Sequence, residues 1–178
     1  MKLICSDFNS FRRTTFLFIC EIFTIFDSFR TNYNQAMKSL PNLVAIVASF
    51  LILFFLNYVF YGVVAAEFFE KHAGSATGVQ KEEVDMIFIF LGTVVQAIAL
   101  TFLYAKWANG NHDLSSGARF GGLAGLFAGF GMTMIMYGTS NLYDMTALLV
   151  DGIWYIFLYG VCGAVIALSM KKVNARST

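Results

Sequence analysis

The sequence predicts an all-α fold, a polytopic membrane four-helix bundle, and three observations carry that prediction. Of the 178 residues, 58% are hydrophobic and only 13% are charged, where a soluble domain carries roughly a quarter. Four long apolar runs alternate with short polar connections. The basic residues gather on alternate connections, as they do when a chain is threaded back and forth through a bilayer. The same composition excludes several classes of function. Twelve Lys and Arg against 11 Asp and Glu leave a net charge of +1, with no basic surface for nucleic acid. Cys5, Cys20 and Cys162 are scattered rather than paired, so neither a zinc knuckle nor a disulfide framework is indicated.

The first run covers residues 42–66, with Asn57 its one strongly polar side chain beyond Asn42. From Leu43 to Ala66 it makes about 36 Å of helix at 1.5 Å per residue, enough to cross a hydrocarbon core of roughly 30 Å. Pro41 precedes it, where a missing backbone donor does least harm. A polar stretch follows, and Val79 to Asp85 is expected to form an amphipathic first turn leading into the second span, 86–107, which is interrupted only by Thr93, Gln96 and Thr101. The third span is 120–137 and the fourth 147–170, before a basic tail at 173–178. Residues 41–172 thus form a four-transmembrane-helix domain of up-and-down topology.

Residues 1–40 form an N-terminal extension or a membrane-surface helix. The apolar stretch Phe16 to Phe26 is interrupted by Glu21 and Thr24 and is too short to span. Lying on the surface, it would let Arg12, Arg13 and Arg30 reach phosphates. A poorly structured extension and a fifth span are the other readings. With four spans, Lys2, Arg12, Arg13, Arg30, Lys38, Lys106, Arg119, Lys171, Lys172 and Arg176 fall on one side, and only Lys71 and Lys81 on the other. The excess of basic residues on the cytoplasmic side of membrane proteins places both termini in the cytoplasm and the first and third connections outside.

Gly117, Gly121, Gly125 and Gly129 recur every fourth residue in the third span. Such overlapping GxxxG steps leave a stripe with almost no side chain, and in lipid a stripe of this kind lets two helix backbones approach closely. Packing inside the bundle is the preferred explanation; a dimer interface or the wall of a transport path are the others. Gly160 and Ala164 repeat the theme in the fourth span, which makes that helix the natural partner of the third.

Asp151 is the most informative polar residue, because an ionised carboxylate inside a span is costly unless paired or hydrated. It marks either a binding site or a helix cap. Asn57 and Gln96, near the middle of the first and second spans, are expected to face the bundle interior and to bond each other or a backbone carbonyl. Asn57, Tyr61 and Glu67 rise along the first span toward the outer surface while Tyr137, Asn141 and Asp144 approach it from the third. With Asp151 and Trp154 they can line an outward-opening polar vestibule. His72 and His112 read as solvated loop residues. No metal ligand set and no catalytic constellation is visible, and no cofactor is implied.

The half of the chain from the glycine-rich span onward resembles a family of small bacterial four-helix integral membrane proteins of unknown function. Its pattern is a glycine-rich helix, a Tyr, a Thr-Asn-Leu element and a helix opening Val-Asp with a Trp three residues after the Asp. Tyr137, Ser140, Asn141, Leu142, Val150, Asp151 and Trp154 carry the likeness, which extends over about residues 40–172; Gly138, Thr139 and Tyr155 depart from it. The resemblance implies a bacterial inner-membrane protein and supplies no activity. Three functions compete. The leading expectation is a noncatalytic membrane subunit or scaffold that packs through its glycine-rich third span, as a homodimer or in a larger membrane complex. The alternative is binding or transport of a small molecule or proton through a vestibule containing Asp151. An enzyme is the least favoured, since one intramembrane acid is a sparse inventory for acid–base chemistry.

Overall fold

A computed structural model describes residues 40–77, 81 and 83–175. The surface helix expected at Phe16 to Phe26 lies outside these residues. The described chain is helical, and four of its helical stretches are long and apolar enough to cross a membrane: Leu40–Val64, Met86–Ala108, Leu114–Thr139 and Met145–Val173. The protein is therefore a multi-pass membrane protein of the all-α class.

Helix α1, Leu40–Val59, carries Pro41 in its first turn, where no intrahelical donor is lost. It continues into a π-helical turn, Phe60–Val64, closed by the bond from the Ala65 amide to the Phe60 carbonyl at 2.7 Å. A short helix α2, Ala66–Lys71, follows. Helix α3, Met86–Ala108, starts at Met86, and residues 83–85 just before it are not helical; of the amphipathic turn expected over Val79 to Asp85, Val79, Gln80 and Glu82 lie outside the described residues. Its buried positions Thr93, Ala97, Leu100, Thr101, Tyr104 and Ala108 fall on one face, the spacing that a helix facing neighbours on one side requires. Asn109 and Gly110 then adopt positive φ of 44° and 84° and end the helix, a conformation these two residue types tolerate best.

The third span is α4, Leu114–Gly125, a π-helical turn, Leu126–Gly131, and α5, Met132–Thr139. It begins a turn and a half before the apolar run, because Ser115 and Arg119 are helical at the polar end. Helix α6, Met145–Asn174, is the longest. Its apolar window is 39% buried against 17–22% for the other three spans, which makes it the central helix of the bundle. A helix that is apolar on every side suits that position. Asp144 caps it, accepting from the Ala147 amide at 2.8 Å.

The core lies where α1, α3 and α6 meet and includes Leu53, Leu100, Tyr104, Leu158, Cys162 and Ile166. Small polar groups tie it together. The hydroxyls of Ser49 and Thr101 are 3.4 Å apart, and Cys162 Sγ donates to the Ser49 carbonyl at 3.8 Å. Helices α4 and α6 meet along the glycines. A methyl group on Gly121 would collide with the Tyr159 carbonyl, one on Gly117 with the Gly163 carbonyl, one on Gly125 with the Tyr155 carbonyl and one on Gly129 with the Tyr155 side chain. On α6 the seam runs through Gly163 and Ala167, while a methyl on Gly160 would stand at an ordinary 3.8 Å from the Ala118 carbonyl and Ala164 is half-buried.

Gln96 is exposed on α3 rather than turned to the interior, and Asn57 instead bonds Trp154. The interior-facing pair expected from the sequence does not form, because the face of α3 toward α1 and α6 is the one carrying Thr93, Ala97 and Thr101. Nor is His112 solvated: it is half-buried beside the Tyr104 ring, 5.8 Å between centroids, and burial lowers its pKa.

Candidate functional site

One end of the bundle carries Glu67, Glu70, Glu83, Asp85 and Asp144, and the other Lys106, Arg119, Lys171 and Lys172. At the acidic end, α1 and α6 are joined by side chains. Asn57, Phe60 and Tyr61 share a face of the first span, since residues three and four apart are neighbours on a helix. Trp154 stacks on Phe60 with centroids 3.8 Å apart and planes 5° from parallel, and its indole donates to Asn57 Oδ1 at 3.2 Å. One turn earlier on α6, Asp151 accepts a short hydrogen bond from the Tyr61 hydroxyl. Tyr155 follows one turn later on the same face of α6.

Asp151 is the seventh residue of α6, and Asp144 holds the capping position. The cap reading of Asp151 is thus corrected: it lies in the helix interior, where its own first-turn amides are out of reach. Its compensation is the Tyr61 hydroxyl. The halves of the spans nearest this end contain no Lys or Arg, so the carboxylate is held by phenol rather than by a cation.

Asp151 forms part of a cleft lined also by Thr133, Tyr137, Ser140, Tyr143 and Leu148. Its volume of about 20 Å³ is room for one or two water molecules. The Thr133 and Ser140 hydroxyls donate to the carbonyls of Phe130 and Met136 at 3.0 and 2.8 Å, which leaves their oxygens as acceptors. Together with the Asp151 carboxylate they favour an occupant that donates hydrogen bonds.

Above this cleft the first connection is clipped to the third. The amides of Gly74 and Ala76 donate to the carbonyls of Leu142 and Asn141 at 2.8 and 3.2 Å, and the Asp144 amide donates to the His72 carbonyl at 3.1 Å. His72 Nδ1 lies 2.6 Å from Asp144 Oδ2. The Ala147 amide first, and then the bond to His72, hold the Asp144 carboxyl below the usual carboxylate range. A methyl on Gly74 would strike the Asn141 carbonyl, so the clip needs glycine there.

Of the residues singled out in the sequence, Tyr137 and Asp151 line the cleft together. Asn57 and Trp154 pair with each other one turn deeper. Asn141 is exposed and contributes its backbone carbonyl to the clip. Tyr155 was missed, although its spacing of four from Asp151 was a readable signal. Phe60 was missed without one, since any of several phenylalanines in that run could have met Trp154. His72 proves to be a bonded member of the clip rather than a solvated loop residue. Among the described residues no three His, Cys, Asp or Glu gather as a metal site. No family model, curated protein or solved structure matches the chain.

Proposed function

We propose that this membrane protein binds a proton, or a molecule of about water's size that donates hydrogen bonds, at Asp151. The observation that carries the reading is the Tyr61–Asp151 hydrogen bond beside a water-sized, acceptor-rich cleft. A half-buried carboxylate without a cationic partner is a default marker of function in a span. The cleft is too small for an organic substrate, which favours binding over catalysis. A scaffold docking through the glycine stripe is the weaker reading, because α6 of the same chain fills that face.

Infrared difference spectra of the reconstituted protein across a pH titration test the proposal. Wild type is expected to show a titrating carboxyl band that Asp151→Asn abolishes and Tyr61→Phe moves. A spectrum with no band that depends on Asp151, or one indifferent to Tyr61→Phe, overturns it.

We further propose that the basic end faces the cytoplasm of a bacterial inner membrane, so that the cleft opens outward. The ten-to-two division of basic residues supports this. In a background without native cysteines, Ser75→Cys is expected to react with an impermeant thiol reagent added to intact cells and Ser115→Cys not to react. The reverse pattern inverts the orientation.

A further inference from the structure

Gln96 stands at the eleventh of the 23 residues of α3, within one position of its midpoint, and it is exposed. At 1.5 Å per residue it is about 15 Å from the nearer helix end, too far for its side chain to reach an interface. Its amide therefore meets hydrocarbon, where a polar group without a partner is disfavoured. The residues around it on the same face are Gly92, Ala99 and Leu103, at spacings of four, three and seven, and all are exposed. A methyl on Gly92 would meet nothing within 4 Å among the described residues. This face lies away from Thr93, Ala97, Leu100 and Tyr104, the side of α3 that packs on the bundle.

We propose that this face of α3 is the contact between two copies of the chain, closed by a reciprocal hydrogen bond between their Gln96 amides. A primary amide carries both donor and acceptor, so it is complementary to itself. A two-fold axis along the membrane normal brings the same residue of each copy to the same depth. Gln96 therefore meets Gln96, and an identical copy satisfies both amides at once. Gly92 and Ala99, on either side, let the two helices come close enough for that bond to form. The glycine stripe of α4 plays no part in this contact, since it already faces α6.

The test is the oligomeric state of the full chain in lipid bilayers, read by single-molecule counting over a range of protein-to-lipid ratios. Gln96→Leu removes the amide on an exposed face of α3. It is expected to weaken dimerisation about tenfold while leaving the thermal transition of the monomer unchanged, and Gln96→Asn is expected to recover part of the loss. In a background lacking Cys5, Cys20 and Cys162, Gly92→Cys is expected to cross-link between copies, and Phe127→Cys, which is 81% exposed on the third span, is not. A wild-type chain that remains monomeric at every ratio, as it would if a different protein or another segment of this chain covered the face, overturns the proposal. So does a dimer that Gln96→Leu leaves intact, or one that cross-links through position 127 alone.

Discussion

Helix α6 is joined to α4 and to α1 by opposite means. Toward α4 it presents Gly163, Ala167 and the carbonyls of Tyr155 and Tyr159, and α4 answers with glycines, so that backbone meets backbone. Toward the acidic end of α1 it presents Asp151 and Trp154, and the contact consists of large and polar side chains. At Gly117, Gly121 and Gly125 the first joint is backbone against backbone, and only at Gly129 does a side chain, that of Tyr155, enter it. The second contains a carboxylate, a phenol, an indole and an amide, each with alternatives. In lipid, where apolar side chains gain little by leaving the solvent, dispersion between close backbones and internal hydrogen bonds are what remain to hold helices together. The bundle uses one on each side of its central helix, and only the second kind can also bind something.

The largest expected effect breaks the first joint. Gly121→Leu would drive a branched side chain into the Tyr159 carbonyl, at a cost of about 3 kcal/mol, the upper part of the range for overpacking. Gly122→Leu is the control one residue away, where an added Cβ meets nothing within 4 Å among the described residues, and is expected to change stability by less than about 0.5 kcal/mol. Reversible unfolding in mixed micelles measures both. Equal losses for the two variants would show that α4 is not held in this rotation.

A smaller effect is expected at the second joint. Trp154→Leu loses the stack on Phe60 and leaves Asn57 Oδ1 without its donor, together about 2 kcal/mol. Trp154→Phe keeps a ring to stack and loses only the indole donor, for about 1 kcal/mol. Adding Asn57→Leu to Trp154→Phe is expected to recover part of that loss, because the orphaned acceptor is removed too. Strict additivity of the two substitutions would mean that the hydrogen bond contributes nothing.

The two joints also differ in how far the sequence discloses them. The four spans are legible because a hydrocarbon core demands long uncharged runs, and composition alone supplies that signal. The four-residue period of Gly117 to Gly129 identifies a side-chain-free face, since absence of bulk needs no knowledge of rotamers. Asp151 stands out for the same elementary reason, a charge inside an apolar run. Its partner is harder to read. Tyr61 is 90 residues away, and whether it or Tyr58 turns toward α6 depends on the rotation of α1. Gln96 shows the limit most plainly. Its depth is readable from the sequence, but the assumption that an intramembrane amide turns inward fails, because the buried face of α3 is set by where Thr93, Ala97 and Thr101 fall.

The smallest expected effect sharpens the comparison by asking whether the acidic end responds to pH while the glycine seam does not. The Asp144 carboxyl, held below its ordinary range by the Ala147 amide and His72, stays ionised in the folded protein at pH values where a free carboxyl has begun to take up protons. A depressed carboxylate stabilises fully above the unfolded value of about 3.9, and the contribution disappears as pH falls through the lower, folded value. The clip formed by His72, Gly74, Ala76 and Asp144 is therefore expected to stay closed from neutral pH to about pH 4 and to loosen below it. Amide hydrogen exchange reads this at Gly74 and Ala76, whose donors go to Leu142 and Asn141. Their protection, corrected for the intrinsic dependence of exchange on pH, should fall below about pH 4 in wild type. Asp144→Asn should start from lower protection and show no such fall, while amides along α4 keep theirs in both proteins. Protection at Gly74 that persists unchanged to pH 3 would mean that the backbone ladder holds the clip without its carboxylate. Loss of protection in α4 over the same range would mean that the two joints do not respond separately, and that the glycine seam depends on the acidic end after all.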